Sequence, residues 1–142
     1  MHDLDSTDKR IIEILKNNAR SSLRDMADKK GINLSASSIR NRMLKLEQEG
    51  IIKKYTVSVD HRKMGFDIQM MILVQATPKK VDSVLSELEE HENVHDTYRT
   101  SGSVNVLCLV RARNMKSLTD FLENSLLKMD GIESYESLLI LE

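Results

Sequence analysis

Residues 35–50 read S-A-S-S-I-R-N-R-M-L-K-L-E-Q-E-G. Ile39, Met43 and Leu46 recur at i, i+4 and i+7, the spacing that stacks side chains on one face of a helix. Ser35 stands where an N-cap belongs and Gly50 where a helix stops, which predicts a helix from about Ser37 to Glu49. Ser37, Ser38, Arg40, Asn41 and Lys45 then point away from the packed stripe. Arg and Asn make bidentate hydrogen bonds to guanine and adenine edges, and Ser and Lys reach bases or phosphates. Such a helix suits the major groove of DNA. Arg40 and Asn41 are the candidates for base reading. Arg42 sits beside the stripe, where it meets phosphate or pairs internally with an acidic residue.

Working outward, Asp5 and Asp8 precede Ile11, Ile12 and Leu15. Carboxylates at the positive end of the dipole predict a first helix over Ser6 to Asn17. Leu23, Met26 and Ala27 mark a short second helix, with Gly31 as a left-handed C-cap. Three helices in this order form a helix-turn-helix, winged-helix-like unit. Ser22, Arg24, Lys45, Lys53 and Lys54 are its candidates for phosphate contact. Residues 1–60 hold 12 Lys/Arg against 9 Asp/Glu, and residues 61–142 hold 9 against 13. The positive potential that phosphates need therefore lies in the front half.

Residues 51–60 look strand-like, and the polar run H-R-K-M-G-F-D at 61–67 is a connection. This predicts a DNA-binding domain with a linker strand over 1–60 and a second domain over 61–142. In the second, the hydrophobic period changes. Strand patterns at Ile68 to Ala76, Val94 to Thr100, Val104 to Ala112 and Tyr135 to Leu141 alternate with helical stripes. One stripe is Val81, Val84, Leu85 and Leu88; the other is Met115, Leu118, Leu122, Leu126 and Met129. The order βαββαβ is the ferredoxin-like arrangement, so the fold class is α+β. Met71 and Leu73 face away from Ile72 and Val74, and residues 138–141 are apolar on both sides. Two helices cover one sheet face only, so the other predicts a homodimer joined through the sheets.

At 142 residues, with 40% hydrophobic and 30% charged side chains, the chain has the composition of a soluble protein. No long apolar run or signal-peptide pattern occurs, so no membrane partner and a cytoplasmic location are expected. Cys108, in V-L-C-L-V, is the single cysteine and reads as a buried thiol. The methionines fall mostly in apolar stripes, as core filler. His91 and His95 have metal-ligand character near Glu90, Glu92 and Asp96. Asn93 and the strand onset at Val94 separate them, and they read as surface histidines with no metal. No catalytic triad or phosphate-cradling loop is present, so neither an enzyme nor a cofactor is expected.

The opening L-D-S-T-D-K-R-I-I, the run N-A-R-S-S-L-R-D-M-A and the stretch at 35–52 occur in order ahead of the βαββαβ pattern. Together these features resemble the Lrp/AsnC family of feast/famine transcriptional regulators over nearly the whole length. The resemblance implies a sequence-specific regulator that binds double-stranded DNA at a pseudo-palindromic operator and responds to an amino acid or related metabolite. It assembles as a homodimer, with tetramers or octamers left open. Effectors in that family sit in loops at dimer–dimer contacts, which makes Thr100, Ser101, Gly102 and Asn105 pocket candidates, with Ser137 on the last strand. Two departures stand out. The family runs from the glycine that ends helix two almost directly into Leu-Ser, whereas this chain inserts Ile32 and Asn33. It also has Asn105 where the family's Gly-x-x-Asp carries a carboxylate. Two competing readings remain: a siroheme-decarboxylase-like tetrapyrrole enzyme on the same fold, and a non-specific architectural DNA-binding protein.

Overall fold

The computed structural model describes residues 3–28 and 31–141. The chain divides into two compact units, residues 1–58 and 59–142.

The first unit holds α1 (Ser6–Asn17), α2 (Leu23–Asp28) and α3 (Ala36–Gln48). Each helix start is fixed by a side chain. Asp5 Oδ1 accepts from the Asp8 amide at 2.8 Å and Asp8 Oδ2 from the Asp5 amide at 3.3 Å, a reciprocal cap on α1. Ser22 Oγ accepts from the Asp25 amide at 3.0 Å, and Ser35 Oγ from that of Ser38 at 3.2 Å. Gly50, at φ +70°, turns the chain off α3, and the amides of Ile51 and Ile52 both donate to the Leu46 carbonyl. The core consists of Ile11, Ile14, Leu15, Met26, Ile32 and Ile39. Ile32, half of the two-residue insertion, is thus a core side chain, while Asn33 is exposed.

The expected strand over 51–60 is absent: residues 53–60 join no ladder, and their side chains are exposed. A strand exists through its partner's hydrogen bonds, and one chain offers this segment none.

The second unit has β1 (Ile68–Ala76), α4 (Val81–Glu89), β2 (Val94–Arg99), β3 (Val106–Ala112), α5 (Met115–Asp120) and β4 (Ile132–Leu139). The strands lie in the order β2-β3-β1-β4, every pair antiparallel. In β1 and β3, Met70, Ile72, Val74 and Ala76 and Val106, Cys108, Val110 and Ala112 are buried beneath Val81, Val84, Leu88, Leu118, Phe121, Leu126 and Met129. Cys108 is fully enclosed, and burial pushes its thiol up to about 12.

The last helix is not one regular α-helix. α5 stops at Asp120, followed by a π-type turn over Phe121–Ser125 and a 3₁₀ turn over Leu126–Lys128. Leu118, Leu126 and Met129 of the expected stripe are buried and Leu122 packs half-buried against the same core; Phe121, at 1% exposure, joins them, and the wider turn keeps Leu126, five residues on, on that face. β4 also begins three residues earlier than its pattern, at Ile132.

The sheet face opposite the helices carries Met71, Leu73, Leu107 and Leu109, half-buried, with Tyr98 and Leu138 more exposed at its edges. No described helix is long and apolar enough to cross a membrane.

Candidate nucleic-acid interface and ligand loop

Ile39 and Leu46 are buried, so the face of α3 diametrically opposite carries Ser37, Asn41, Leu44 and Gln48, flanked by Arg40 and Lys45. All six are exposed. Among the described residues, the side chains of Arg40, Asn41 and Lys45 have no hydrogen-bond or ion-pair partner. Leu44 and Gln48 were not singled out in the sequence. Leu44 is a large apolar side chain, 44% exposed on a polar face. Position i+7 from Ser37 was the available signal, and apolar contact with a thymine methyl is the chemistry it offers.

The serines serve the helix start. Ser35 Oγ, the N-cap, lies 3.0 Å from Ser37 Oγ and donates to Ser38 Oγ at 2.9 Å. Ser22 caps α2, and Arg24 pairs with Asp28 at 3.6 Å on the surface. Ser22 and Ser35 thus mark the two helix N-termini, where backbone amides and the dipole favour phosphate.

Arg42 faces inward. Its Nη1 donates to Asp5 Oδ2 at 2.6 Å and to Asp8 Oδ1 at 2.9 Å, so the internal pairing holds. Hydrogen bonding to Arg42 keeps the Asp5 carboxyl below the usual carboxylate range. After α3, Tyr55 OH donates to Glu47 Oε1 at 2.6 Å, and burial with that carboxylate raises the phenol to about 12. The tether returns the segment bearing the exposed Lys53 and Lys54 to α3.

In the second unit, the loop over 100–105 joins β2 to β3. Asn105 Oδ1 accepts from the Ala76 amide at 2.8 Å, and its Nδ2 donates to the Ala76 carbonyl at 2.7 Å. Its own amide donates to the Val74 carbonyl at 3.1 Å. The amide side chain thereby replaces a missing backbone pair at the end of the β1–β3 ladder. Thr100 Oγ1 donates to the Val104 carbonyl. Ser101 and Gly102 remain exposed. Ser137 is not brought to this loop within one chain: it lies on β4, opposite Ile72, with β1 and β3 between it and β2.

His91 and His95 do not share a site. His91 Nε2 lies 3.0 Å from Ser125 Oγ and its Nδ1 accepts from the Asn93 amide. His95 instead meets His61, ring to ring at 5.8 Å, and packs edge-on against Phe66 at 5.7 Å.

Comparison with known proteins resolves what this pairing of units is for. Residues 4–53 match the winged helix-turn-helix DNA-binding domain, and residues 69–142 match the Lrp/AsnC ligand binding domain. The chain belongs to the Lrp/AsnC family. The HTH-type transcriptional regulator LrpA of Pyrococcus horikoshii is 34% identical over 98% of this chain and 97% of its own length. The structure of Escherichia coli AsnC superposes with a TM-score of 0.89 at 30% identity, covering 99% of this chain and 94% of that one. The regulator NMB0573 of Neisseria meningitidis, in complex with L-Met, gives a TM-score of 0.89 at 22% identity, over 99% and 91% of the two chains. As a Lrp/AsnC protein, this is a sequence-specific DNA-binding transcriptional regulator, not an enzyme, in a family that is oligomeric and effector-responsive. The tetrapyrrole-enzyme and architectural alternatives draw no support from these relatives.

Proposed function

We propose that the protein acts in the cytoplasm as a homodimer that presents two copies of α3 to a pseudo-palindromic operator and adjusts that grip to an amino acid or related metabolite. The observation that carries this reading is the outward face of α3, where Arg40, Asn41 and Lys45 stand exposed and internally unpaired beside the capped helix start. Arg40 and Asn41 read bases. Ser22, Arg24, Ser35, Ser37, Ser38, Lys45, Lys53 and Lys54 set the register on phosphates or reach bases near the helix start. Arg42, committed to Asp5 and Asp8, leaves that set.

Dimerisation is supported by the open sheet face of Met71, Leu73, Leu107 and Leu109 and by the unpaired segment 53–60, with Tyr55, Val57 and Val59 exposed along it. A two-fold dimer sets half-sites about a helical turn, or a multiple of it, apart. The ligand loop is 100–105, and exposed Ser101 and Gly102 are its available contacts, with the clamped Asn105 as a floor. Ser137 could contribute only from another chain. The bound L-Met in the Neisseria relative makes methionine the first effector to try.

Fluorescence anisotropy on the duplex upstream of the protein's own gene, against a scrambled duplex across a salt series, tests the reading. Tighter binding to the native duplex that persists at physiological salt is expected, with a shift on adding L-Met or another amino acid. Equal, steeply salt-dependent binding to both duplexes overturns it. A monomeric mass in sedimentation at micromolar concentration overturns the dimer.

A further inference from the structure

Within the first unit, the two arginines of α3 have opposite fates. Arg40 is exposed and unpaired, whereas Arg42, two residues on, is gripped by both carboxylates that open α1. The bonding is economical. Asp5 gives Oδ1 to the α1 cap and Oδ2 to Arg42; Asp8 gives Oδ2 to the cap and Oδ1 to Arg42. Asp8 is 2% exposed, so this attachment joins α3 to a buried carboxylate in the first turn of α1. We infer that the Asp5–Arg42–Asp8 clamp is a specificity device: it fixes the orientation of the reading helix and withholds one arginine from indiscriminate phosphate contact. Arg42 is thus a positioning residue.

Charge supports the second half. The Arg42 guanidinium faces two carboxylates, which neutralise it toward an approaching phosphate; Arg40 has no such pair among the described residues. Geometry supports the first half. Base reading demands that side chains be held to within about half an ångström by packing and hydrogen bonds together, and α3 is seated in its unit through the apolar packing of Ile39. The two-point charged attachment adds a directional hold on one edge of α3.

The inference rests on the DNA-reading role of α3 proposed above. Its test uses the full chain, the duplex preferred by the wild-type protein, and a scrambled duplex. Asp5→Asn keeps the helix cap, since Asn caps as well as Asp, but turns a donor toward Arg42. It should tighten binding to scrambled DNA several-fold, steepen the salt slope by about one as the guanidinium reaches a phosphate, and reduce the native-to-scrambled ratio about tenfold. Arg42→Gln should reduce the same ratio with the salt slope unchanged. The reverse pattern for Arg42→Gln, a slope flattened by about one and equal loss on both duplexes, identifies Arg42 as a phosphate contact and overturns the inference. Should Arg42→Gln fail to fold because buried Asp8 loses its guanidinium, Asp5→Asn decides alone: an unchanged ratio overturns the clamp. A wild-type protein that treats the two duplexes alike condemns the sequence-reading role itself, before any variant is compared.

Discussion

The outward face of α3 and the loop leading into β3 are both polar, but Arg40, Asn41 and Lys45 reach solvent without an internal partner, whereas Asn105 has both ends of its amide bonded to Ala76. The proposed base-reading face needs no internal bond to stand as it does, so replacing Arg40, Asn41 or Lys45 should remove no polar contact from the fold. In the 100–105 loop, the proposed ligand site, Asn105 and Thr100 already bond within the fold, while Ser101 and Gly102 remain exposed. A regulator can tolerate that arrangement only if the effector uses backbone and neighbouring groups around a fixed Asn105, or displaces it at a cost. The general lesson is that a polar residue at a family's binding position has to be checked for what it already holds.

The largest expected effect therefore falls on the loop. Asn105→Ala leaves the amide and carbonyl of Ala76, itself 1% exposed, without partners. The cost should be about 2–4 kcal/mol in urea denaturation of the full chain. Asn105→Asp keeps the acceptor for the Ala76 amide but faces its carbonyl with a carboxylate, and a loss of about 1–2 kcal/mol is expected. If Asn105→Ala is neutral for stability yet abolishes an effector response, the contrast with α3 fails, and Asn105 is a ligand contact.

On α3 the expectation is the opposite. Arg40→Ala should cost about 1–3 kcal/mol of discrimination at one base pair of the operator. Stability should stay within about 0.5 kcal/mol of the wild type, because nothing inside the protein depends on Arg40. Lys54→Ala should weaken binding to every sequence and reduce the salt slope by about one. A stability loss for Arg40→Ala comparable with that for Asn105→Ala would show that the face is not idle.

The same contrast explains what the sequence revealed. Hydrophobic period located α1 and β1 to the residue, because Ile11 and Leu15, and Ile72 and Val74, pack where their spacing puts them. It found the last helical stripe, with Leu118, Leu126 and Met129 buried, but missed Phe121 in the core, the exposure of Met115 and the π-type turn, a change of phase that spacing alone does not encode. It proposed a strand over 51–60, where the alternation is real and the partner is missing from a single chain. At the sites, residue type and spacing proposed Arg40 and Asn41 as base readers and set Arg42 apart beside the packed stripe, but could not name the acidic partners that hold it. Those partners are Asp5 and Asp8, some 35 residues earlier in the chain. Nor could it foresee that His95 meets His61, whose approach is set by the turn in which the His61 carbonyl accepts from the amides of Met64 and Phe66.

That histidine pair supplies the smallest predicted effect. Burial, then Arg111 and His61, lower the His95 pKa, against a weaker pull from Asp96. With the folded value below the unfolded one, the unfolded chain binds more protons as pH falls past the ordinary histidine range. Stability from this source is present above about pH 6.5, is lost as pH falls toward the folded value, and then levels off. His95 is exposed at its edge, so solvent screening should keep the effect below about 1 kcal/mol. Urea midpoints of wild type and His95→Gln at about pH 7.5 and 5.5 isolate it, the variant losing less on acidification. Equal losses would mean that the rings pack without sensing charge. The 61–67 connection would then resemble neither α3, whose charged groups await a partner, nor the Asn105 loop, whose polar groups have found one.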